Sequence, residues 1–477
     1  MGKACYSTLK IVGIVIAMLH CAGQLYAINP DTDEEMQAGD GYVQVQQIII
    51  SGNKITKPRV ILNELIFKKG DKILVNKLGQ ITKRCRHNLL NTSLFNFVAI
   101  RYTLQSDETI IFHVSVDERW YWWVFPIFEV ADRNLSSFFN NGDWSRVNYG
   151  VYLKRDNFRG RNEKILARIR LGFTTQIMFG YLSPEYKKRG GWGIQFDFRM
   201  YDQLPYTTEG NKQIFKGLET EMAQMTYMGT AYYSIRSGLY QRHKMELKYN
   251  NYNVSDSIID LNANYLTPGA NKLQYLELSY DYEYDRRDSK IYPLKGTRLK
   301  LRATQTGFGI WQDELNNLKL NGSLDKHIYL HERWHWASLL YGEYNTSNLL
   351  PYVLNAGSGY KSFLNGYELY VIDGTRQATM KNQMVFTLLH PRVQNIGFMP
   401  ITQFAKINYA FYLKAFYDFG YVWQENPPIS NTFVNDWQYG YGFGLDFVTF
   451  YDMVWSFNYS VNKFKQHGFF VHFNLAI

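Results

Sequence analysis

The stretch "YLELSYDYEYDRRDSKIYPLKGTRLKLRAT", residues 275–304, contains two segments in which apolar and charged residues alternate, separated by a polar turn. The first segment has an apolar face of Leu276, Leu278, Tyr280, Tyr282 and Tyr284 and a charged face of Glu277, Asp281, Glu283 and Asp285. The second opposes Leu299, Leu301 and Ala303 to Arg298, Lys300 and Arg302. A period of two predicts β-strands that each have one face in an apolar and one in a polar environment.

This alternation continues through nearly all of residues 119–477, as in "KILARIRLGF" (164–173) and "GFFVHFNLAI" (468–477). Such strands fit a soluble β-sandwich, whose charged face meets water, or a membrane β-barrel, whose apolar face meets lipid. The barrel is favoured because strands approach the ~9–11 residues of a tilted crossing, aromatic residues cluster at strand ends, and short turns alternate with long polar loops. At roughly 22 residues per strand with its connection, the segment accommodates about 16 antiparallel strands.

The first 27 residues are typical of a secretory signal peptide. Lys3 and Lys10 supply the positive region that precedes the apolar run "IVGIVIAML" (11–19). Cleavage is expected after Ala27. A retained anchor helix, or a lipoprotein signal ending at Cys21, are the alternatives. Residues 28–42 then form an acidic linker. The formal net charge is +10, but export makes nucleic acid an unexpected partner.

Residues 43–118 have a different pattern, which predicts a small α/β domain of order β-α-α-β-β. "YVQVQQIIISGN" (42–53) is a strand that ends in a Gly-Asn turn, and "KPRVILNELIF" (57–67) has the spacing of a helix that starts at Pro58. A second amphipathic helix lies within residues 75–95. Two alternating strands follow, "NFVAIRYTLQ" (96–105) and "ETIIFHVSVDE" (108–118).

Several motifs resemble the BamA-type outer-membrane insertases and translocators, a family that includes two-partner-secretion transporters and bacterial surface antigens. "IIISGNKI" (48–55) and "LLNTSLFNFVAIRY" (89–102) resemble a polypeptide-transport-associated (POTRA) domain. "RDNFRGRNEKILARI" (155–169) resembles an early barrel strand. "YDRRDSKIYPLKGTRL" (284–299) is similar to the family's turn motif through Asp285, Arg287, Asp288, Pro293 and Gly296. The resemblance implies one POTRA domain (43–118) followed by a 16-stranded barrel (119–477).

The resemblance also places "SFLNGYELYVIDG" (362–374) in the sixth extracellular loop, which in the family folds back into the lumen. There an Arg-Gly-Phe/Tyr tip is held by acidic groups of the barrel. The tip here is Asn365, Gly366 and Tyr367, so the arginine is missing, and the position resembling the acidic partner is Asp418.

We expect this loop to insert, held by Asn365 and by packing of Tyr367, Leu369 and Tyr370, because its apolar residues would otherwise be exposed to water. The alternative is a loop released to the exterior, which leaves an open pore. Without the arginine, we expect Asp418 to pair with Lys414 or Arg376.

The family resemblance implies a non-enzymatic protein of the bacterial outer membrane with its POTRA domain in the periplasm, without metal or cofactor. Its expected function is assembly of other outer-membrane proteins through a weak seam between the first and last strands, the last carrying Gly468 and Phe470. The POTRA domain would add client strands along an edge marked by Val98, Ile100 and Tyr102. Expected partners are the lipid bilayer, client polypeptides, and periplasmic chaperones or accessory lipoproteins.

Three other functions remain open at this point. Export of a polypeptide through the lumen is supported by a basic interior of Lys164, Arg168, Arg170, Arg298, Lys300 and Arg302. A passive pore is a second. The third is a zinc protease, because "HERWH" (331–335) fits His-Glu-x-x-His; that chemistry needs a helix, whereas both flanks have strand periodicity.

Overall fold

The computed structural model describes residues 41–475 except 107, 131–143, 145–146, 186–189, 219–220, 312–314, 361–362, 398, 401, 450 and 452. The predicted signal peptide and most of the predicted linker therefore lie outside the described residues. The chain forms two compact units. The first comprises the described residues up to Ser51 with Leu65–Arg86 and Ala99–Ser115, and the second Gly52–Glu64, His87–Val98 and the described residues from Val116 onward.

The N-terminal α/β domain contains β1 (Tyr42–Ser51), α1 (Pro58–Glu64), β2 (Lys72–Leu74), α2 (Leu78–Leu90), β3 (Phe95–Ser106) and β4 (Thr109–Glu118). Its sheet has the order β2-β1-β4-β3, with β1 parallel to β4 and antiparallel to β2. The predicted order β-α-α-β-β lacked β2, which is too short to show a period. Within the first unit, Phe67 stacks on the buried Phe112 with ring centroids 4.1 Å apart.

The described residues from Trp122 onward form an antiparallel β-barrel of sixteen strands, as predicted, together with a separate two-stranded hairpin. The barrel strands are β5 (Trp122–Val130), β6 (Val147–Phe158), β7 (Glu163–Gly172), β8 (Thr174–Ser183), β9 (Gly191–Tyr201), β12 (Gln224–Ser237), β13 (Gln241–Val254), β14 (Lys272–Asp285), β15 (Gly296–Thr306), β16 (Asn317–His331), β17 (Trp334–Asn345), β18 (Arg376–Asn395), β19 (Lys406–Trp423), β20 (Trp437–Thr449), β21 (Met453–Asn462) and β22 (His467–Leu475). We call the end of the barrel at which β5 begins proximal and the other end distal.

The distal connections carry structure of their own. Between β9 and β12 lies a hairpin of β10 (Gln203–Glu209) and β11 (Lys212–Gly217), and a short helix, α3 (Asp256–Leu261), follows β13. Residues Leu204, Ile258, Leu266 and Leu315 from these connections share one apolar cluster with Tyr275. Among the described residues, no helix combines the length and apolar character needed to cross a membrane.

Residues 275–304 form most of β14, the proximal turn that follows it and most of β15. Asp281 lies opposite Arg302 in the ladder, and Nε and Nη2 of Arg302 donate to its two carboxylate oxygens at 2.5 and 2.7 Å. Arg298 donates to Glu283 at 2.9 Å. Neighbouring acidic and basic faces therefore pair inside the barrel, which leaves the apolar faces outside.

Candidate functional site

The segment 362–374 belongs to the connection between β17 and β18, the sixth distal connection along the barrel. Leu364, Tyr367, Val371 and Ile372 in this segment are at most 2% exposed. Three of them form an apolar cluster with Val422 of β19 and with Phe433 and Val434 of the next distal connection. On β19, residues such as Phe416 and Asp418 are buried whereas Tyr417 and Phe419 are exposed, so even-numbered residues point inward. The sixth loop thus lies against the interior face of the barrel.

The tip of the loop contacts the wall through Asn365. Its backbone N–H and its side-chain Nδ2 both donate to Oδ2 of Asp418, at 3.0 and 2.7 Å. Lys381, opposite Asp418 in the β18–β19 ladder, places Nζ 3.8 Å from the same oxygen. Asp418 is 1% exposed. The structure therefore brings together the predicted tip and the predicted acidic partner, and adds a cation that sequence reasoning missed.

The expectation that Asp418 pairs with Lys414 or Arg376 is wrong. Lys414 lies four residues along the same strand, about 13 Å away, and donates to Asp446 of β20 at 2.7 Å. The Arg376 guanidinium lies 4.3 Å from the ring centre of Trp423. Each cation thus has a nearer partner than Asp418.

The rest of the tip contacts the last two strands. Gly366 N–H donates to Glu368 Oε2 at 2.8 Å, and Asn462 of β21 donates to the Gly366 carbonyl at 3.1 Å. Glu368 Oε1 lies 3.7 Å from Nε2 of His472 on β22, and the Phe363 ring stacks on His472 with centroids 5.1 Å apart. The loop therefore supports the interior face of the last strand.

Aromatic packing surrounds Tyr367. Its hydroxyl donates to Oε1 of Gln438 at 2.9 Å, and its ring meets Phe433 edge-on at 5.7 Å. Tyr370 and Phe464 also pack on Phe433, at 5.0 and 4.8 Å. Burial raises the pKa of Tyr367 to about 12, so the hydroxyl stays protonated and can donate at physiological pH.

Glycines on the facing strands make room for the loop. A Cβ at Gly440 of β20 would overlap the Asn365 carbonyl oxygen, and one at Gly420 of β19 would lie 2.7 Å from Leu364 Cδ1. Gly366 itself has φ +90°, which other residues rarely adopt. The alternating glycines of "YGYGFG" (439–444) are the sequence signal for this close approach, and sequence reasoning did not use it.

Each barrel strand is hydrogen-bonded to the next, from β5 to β22. In the part of the chain that the structure describes, β5 and β22 themselves form no ladder with each other. Gly468 lies on β22 opposite Ser460, and the buried Phe470 ring comes within 2.6 Å of where a Gly468 Cβ would lie. The first and last strands are therefore the two edges of the sheet.

Strand β5 is apolar on its outer face and, from Trp123 to Ile127, on its inner face, where Glu129 follows at the distal end. Trp122, Val124 and Phe128 on the outside are 59%, 66% and 70% exposed. On the inside, Trp123 stacks on Phe125 with centroids 5.3 Å apart.

The residues at the proximal start of β5 also contact the turn between β20 and β21, near the other end of the strand order. The Trp123 ring meets that of Tyr451, in the turn between β20 and β21, at 4.8 Å. The Trp120 N–H donates to the Tyr451 hydroxyl at 3.0 Å. The Tyr451 side chain thus links the start of β5 to the turn between β20 and β21.

The other predicted site residues lie in two places. Val98, Ile100 and Tyr102 are on β3, an edge strand of the N-terminal sheet; Val98 is buried and Tyr102 is exposed. Because β3 has twelve residues and the opposite edge β2 only three, β3 is the longer edge.

The turn motif lies between β14 and β15 at the proximal end. Arg287 donates to both carboxylate oxygens of Asp285 at 2.9 and 2.8 Å, and Asp288 Oδ1 accepts from the backbone N–H of Leu294 at 3.1 Å, across Pro293. Gly296 has φ +122°, which closes the turn onto β15. These contacts fix the turn itself.

The His-Glu-x-x-His match forms no metal site. His331 ends β16 and His335 is in β17, so the two lie on antiparallel strands across a tight turn rather than on one helix face. His335 Nε2 lies 3.2 Å from the Thr387 hydroxyl. The described residues contain no cluster of three His, Cys, Asp or Glu side chains that could hold a metal ion.

Comparisons with known proteins agree with this architecture. Residues 157–378 match the Omp85 superfamily domain, and residues 43–119 match the POTRA family described as surface antigen variable number repeat. The fold is similar to BamA from Haemophilus ducreyi lacking POTRA domains 1–3, at 14% identity and a TM-score of 0.51, covering 90% of this chain and 83% of that one. It is also similar to CdiB from Escherichia coli, at 11% identity and a TM-score of 0.56, covering 90% of this chain and 75% of that one. No curated protein matches the sequence.

At these identities the structural likeness concerns the fold alone, whereas the two family models cover successive parts of the sequence. They confirm the resemblance found in the turn, strand and helix motifs. The chain therefore contains a POTRA domain followed by an Omp85 superfamily domain.

Proposed function

We propose that this protein assembles other β-barrel proteins in the bacterial outer membrane, with its POTRA domain in the periplasm. The observation that carries the proposal is the edge of β5 with which no described strand pairs, because this strand ends the hydrogen-bonded order and is apolar on its outer face and on most of its inner face. An unpaired strand edge is a template for another strand, and in a bilayer that strand must satisfy every backbone group. Client strands would pair there, after first adding to β3.

Export of a polypeptide through the lumen is the second candidate, and one observation favours it. The sixth loop is anchored to Asp418 by a neutral amide, and a hydrogen bond without a cationic donor is easier to break than an arginine fork. Against export, the basic interior is largely neutralised: Arg302 pairs with Asp281, and Arg170 with Glu129.

Reconstitution tests the proposal. The purified full chain is placed in liposomes, and an unfolded eight-stranded outer-membrane barrel is added in urea. Assembly predicts insertion at least tenfold faster than into empty liposomes, measured by the gel shift of the folded client. Equal rates with and without the protein would contradict it.

Depletion of the protein in its own host separates the two candidates. Assembly predicts loss of particular barrels from the outer-membrane proteome. Export predicts loss of a protein from the secreted or surface fraction while the barrels stay. Chaperones and accessory lipoproteins, if they take part, would be recovered by cross-linking to the POTRA domain in the same cells.

A further inference from the structure

Three prolines lie within described strands: Pro126 in β5, Pro205 in β10 and Pro391 in β18. Proline has no N–H, so a proline nitrogen that faces a neighbouring strand removes a ladder hydrogen bond and disturbs the pairing. The ladders show this at two of the three. The β10–β11 register shifts between Pro205 and Thr207, and the β18–β19 register shifts across Pro391.

Pro126 disturbs nothing. It lies opposite Val151 in the middle of a β5–β6 ladder that runs without a shift from Trp122 to Val130. Its ring nitrogen therefore faces away from β6, toward the free edge of β5.

The free edge of β5 consequently lacks one backbone hydrogen-bond donor. Residues two apart on a strand direct their backbone groups to the same side, so Trp122, Val124 and Phe128 also present their N–H groups to this edge. Pro126, between Val124 and Phe128, presents only a carbonyl. A strand added to this edge pairs in two short runs, one on each side of Pro126.

We propose that Pro126 prevents β5 from forming a continuous ladder with β22, so that the edge stays available to an extended client segment. The client segment this edge suits is a barrel strand that is apolar on its outer face, beside Val124 and Phe128, and that carries apolar residues on its inner face only where it lies beside Trp123 and Phe125. This inference rests on the proposed assembly function and names the residue that limits closure and the chemistry of the strand accepted.

Disulfide trapping measures closure directly. In a Cys85→Ala background, Val124→Cys is combined in turn with Phe469→Cys, Val471→Cys and Phe473→Cys, the exposed residues of β22. Pro126→Ala restores one donor, so the highest cross-linking yield should rise about fivefold, the effect of one net hydrogen bond. Insertion of the client barrel into liposomes should slow by a similar factor. Pro205→Ala is the matched control and should change neither quantity.

Each other outcome decides against the proposal. Equal cross-linking yields with and without Pro126 would show that the proline does not limit closure. A higher yield with unchanged insertion would show that clients do not use this edge. Pro126→Val, which also restores the donor and suits a strand, repeats the test if the alanine variant folds poorly. If the wild-type protein does not accelerate insertion at all, the proposed function fails, and the disulfide yields still decide whether Pro126 limits closure.

Discussion

At the scale of single residues, the sixth loop replaces the family's charged anchor with an amide. Asn365 makes two hydrogen bonds to one oxygen of Asp418, whose remaining charge partner is Lys381. The sequence predicted the tip and the acidic residue through the family resemblance. It did not predict Lys381, because the partner of a strand residue follows from the register, and the turn between β18 and β19 does not reveal it.

Substitutions at Asn365 should release the loop in a graded order. Asn365→Ala removes the side-chain bond and keeps the backbone one, a loss of about 1.5–3 kcal/mol for a bond to a carboxylate. Asn365→Asp has the same shape but places a second carboxylate against Asp418, so it should release the loop more. Chymotrypsin cleavage after Tyr367, which is 2% exposed in the intact protein, measures the release in detergent.

Cleavage should accelerate from wild type to Asn365→Ala to Asn365→Asp. Asn264→Asp adds the same charge to an exposed distal position and should leave the rate unchanged. Wild-type cleavage rates in both Asn365 variants would mean that packing alone holds the loop.

At the scale of elements, the loop and β20 fit each other through glycine. Gly440→Ala places a methyl group where the Asn365 carbonyl oxygen lies, and both groups are backbone-fixed. Either the loop or the strand must move, and β20 is paired on both sides whereas the loop is not. We therefore expect the loop to leave, which opens the lumen and raises single-channel conductance in planar bilayers several-fold. Gly229→Ala, in a strand position with open space, should conduct like wild type.

Elements with a long, clear period were predictable from the sequence, and elements held by tertiary contacts were not. The alternating β14 and β15 and both POTRA helices followed from their patterns. The three-residue β2 and the β10–β11 hairpin did not follow from a pattern. β2 is a strand because it pairs with β1, and β10 and β11 are strands because they pair with each other within a long distal connection. The close approach of the sixth loop to β20 could have been predicted from the glycine alternation in residues 439–444.

At the scale of the whole molecule, a client polypeptide has two candidate routes, the edge of β5 and the lumen, and a disulfide can distinguish between them. The β5–β22 cysteine pair with the highest yield closes the edge and leaves the lumen unchanged. A second disulfide, Val151→Cys with Ile169→Cys, joins opposing exposed residues of β6 and β7 and closes no edge, so it is the matched control.

If clients pair with β5, the β5–β22 disulfide stops insertion of the client barrel, and reduction restores it, whereas the β6–β7 disulfide has no effect in either state. The physical reason is that a covalently closed edge offers no backbone donors, and in hydrocarbon a client strand has no other source. The same two variants are then expressed in depleted cells, and the outer-membrane and secreted fractions are compared. If the protein with the β5–β22 disulfide restored the secreted fraction, the activity would belong to the lumen and not to the edge, because this disulfide closes the edge and leaves the lumen open.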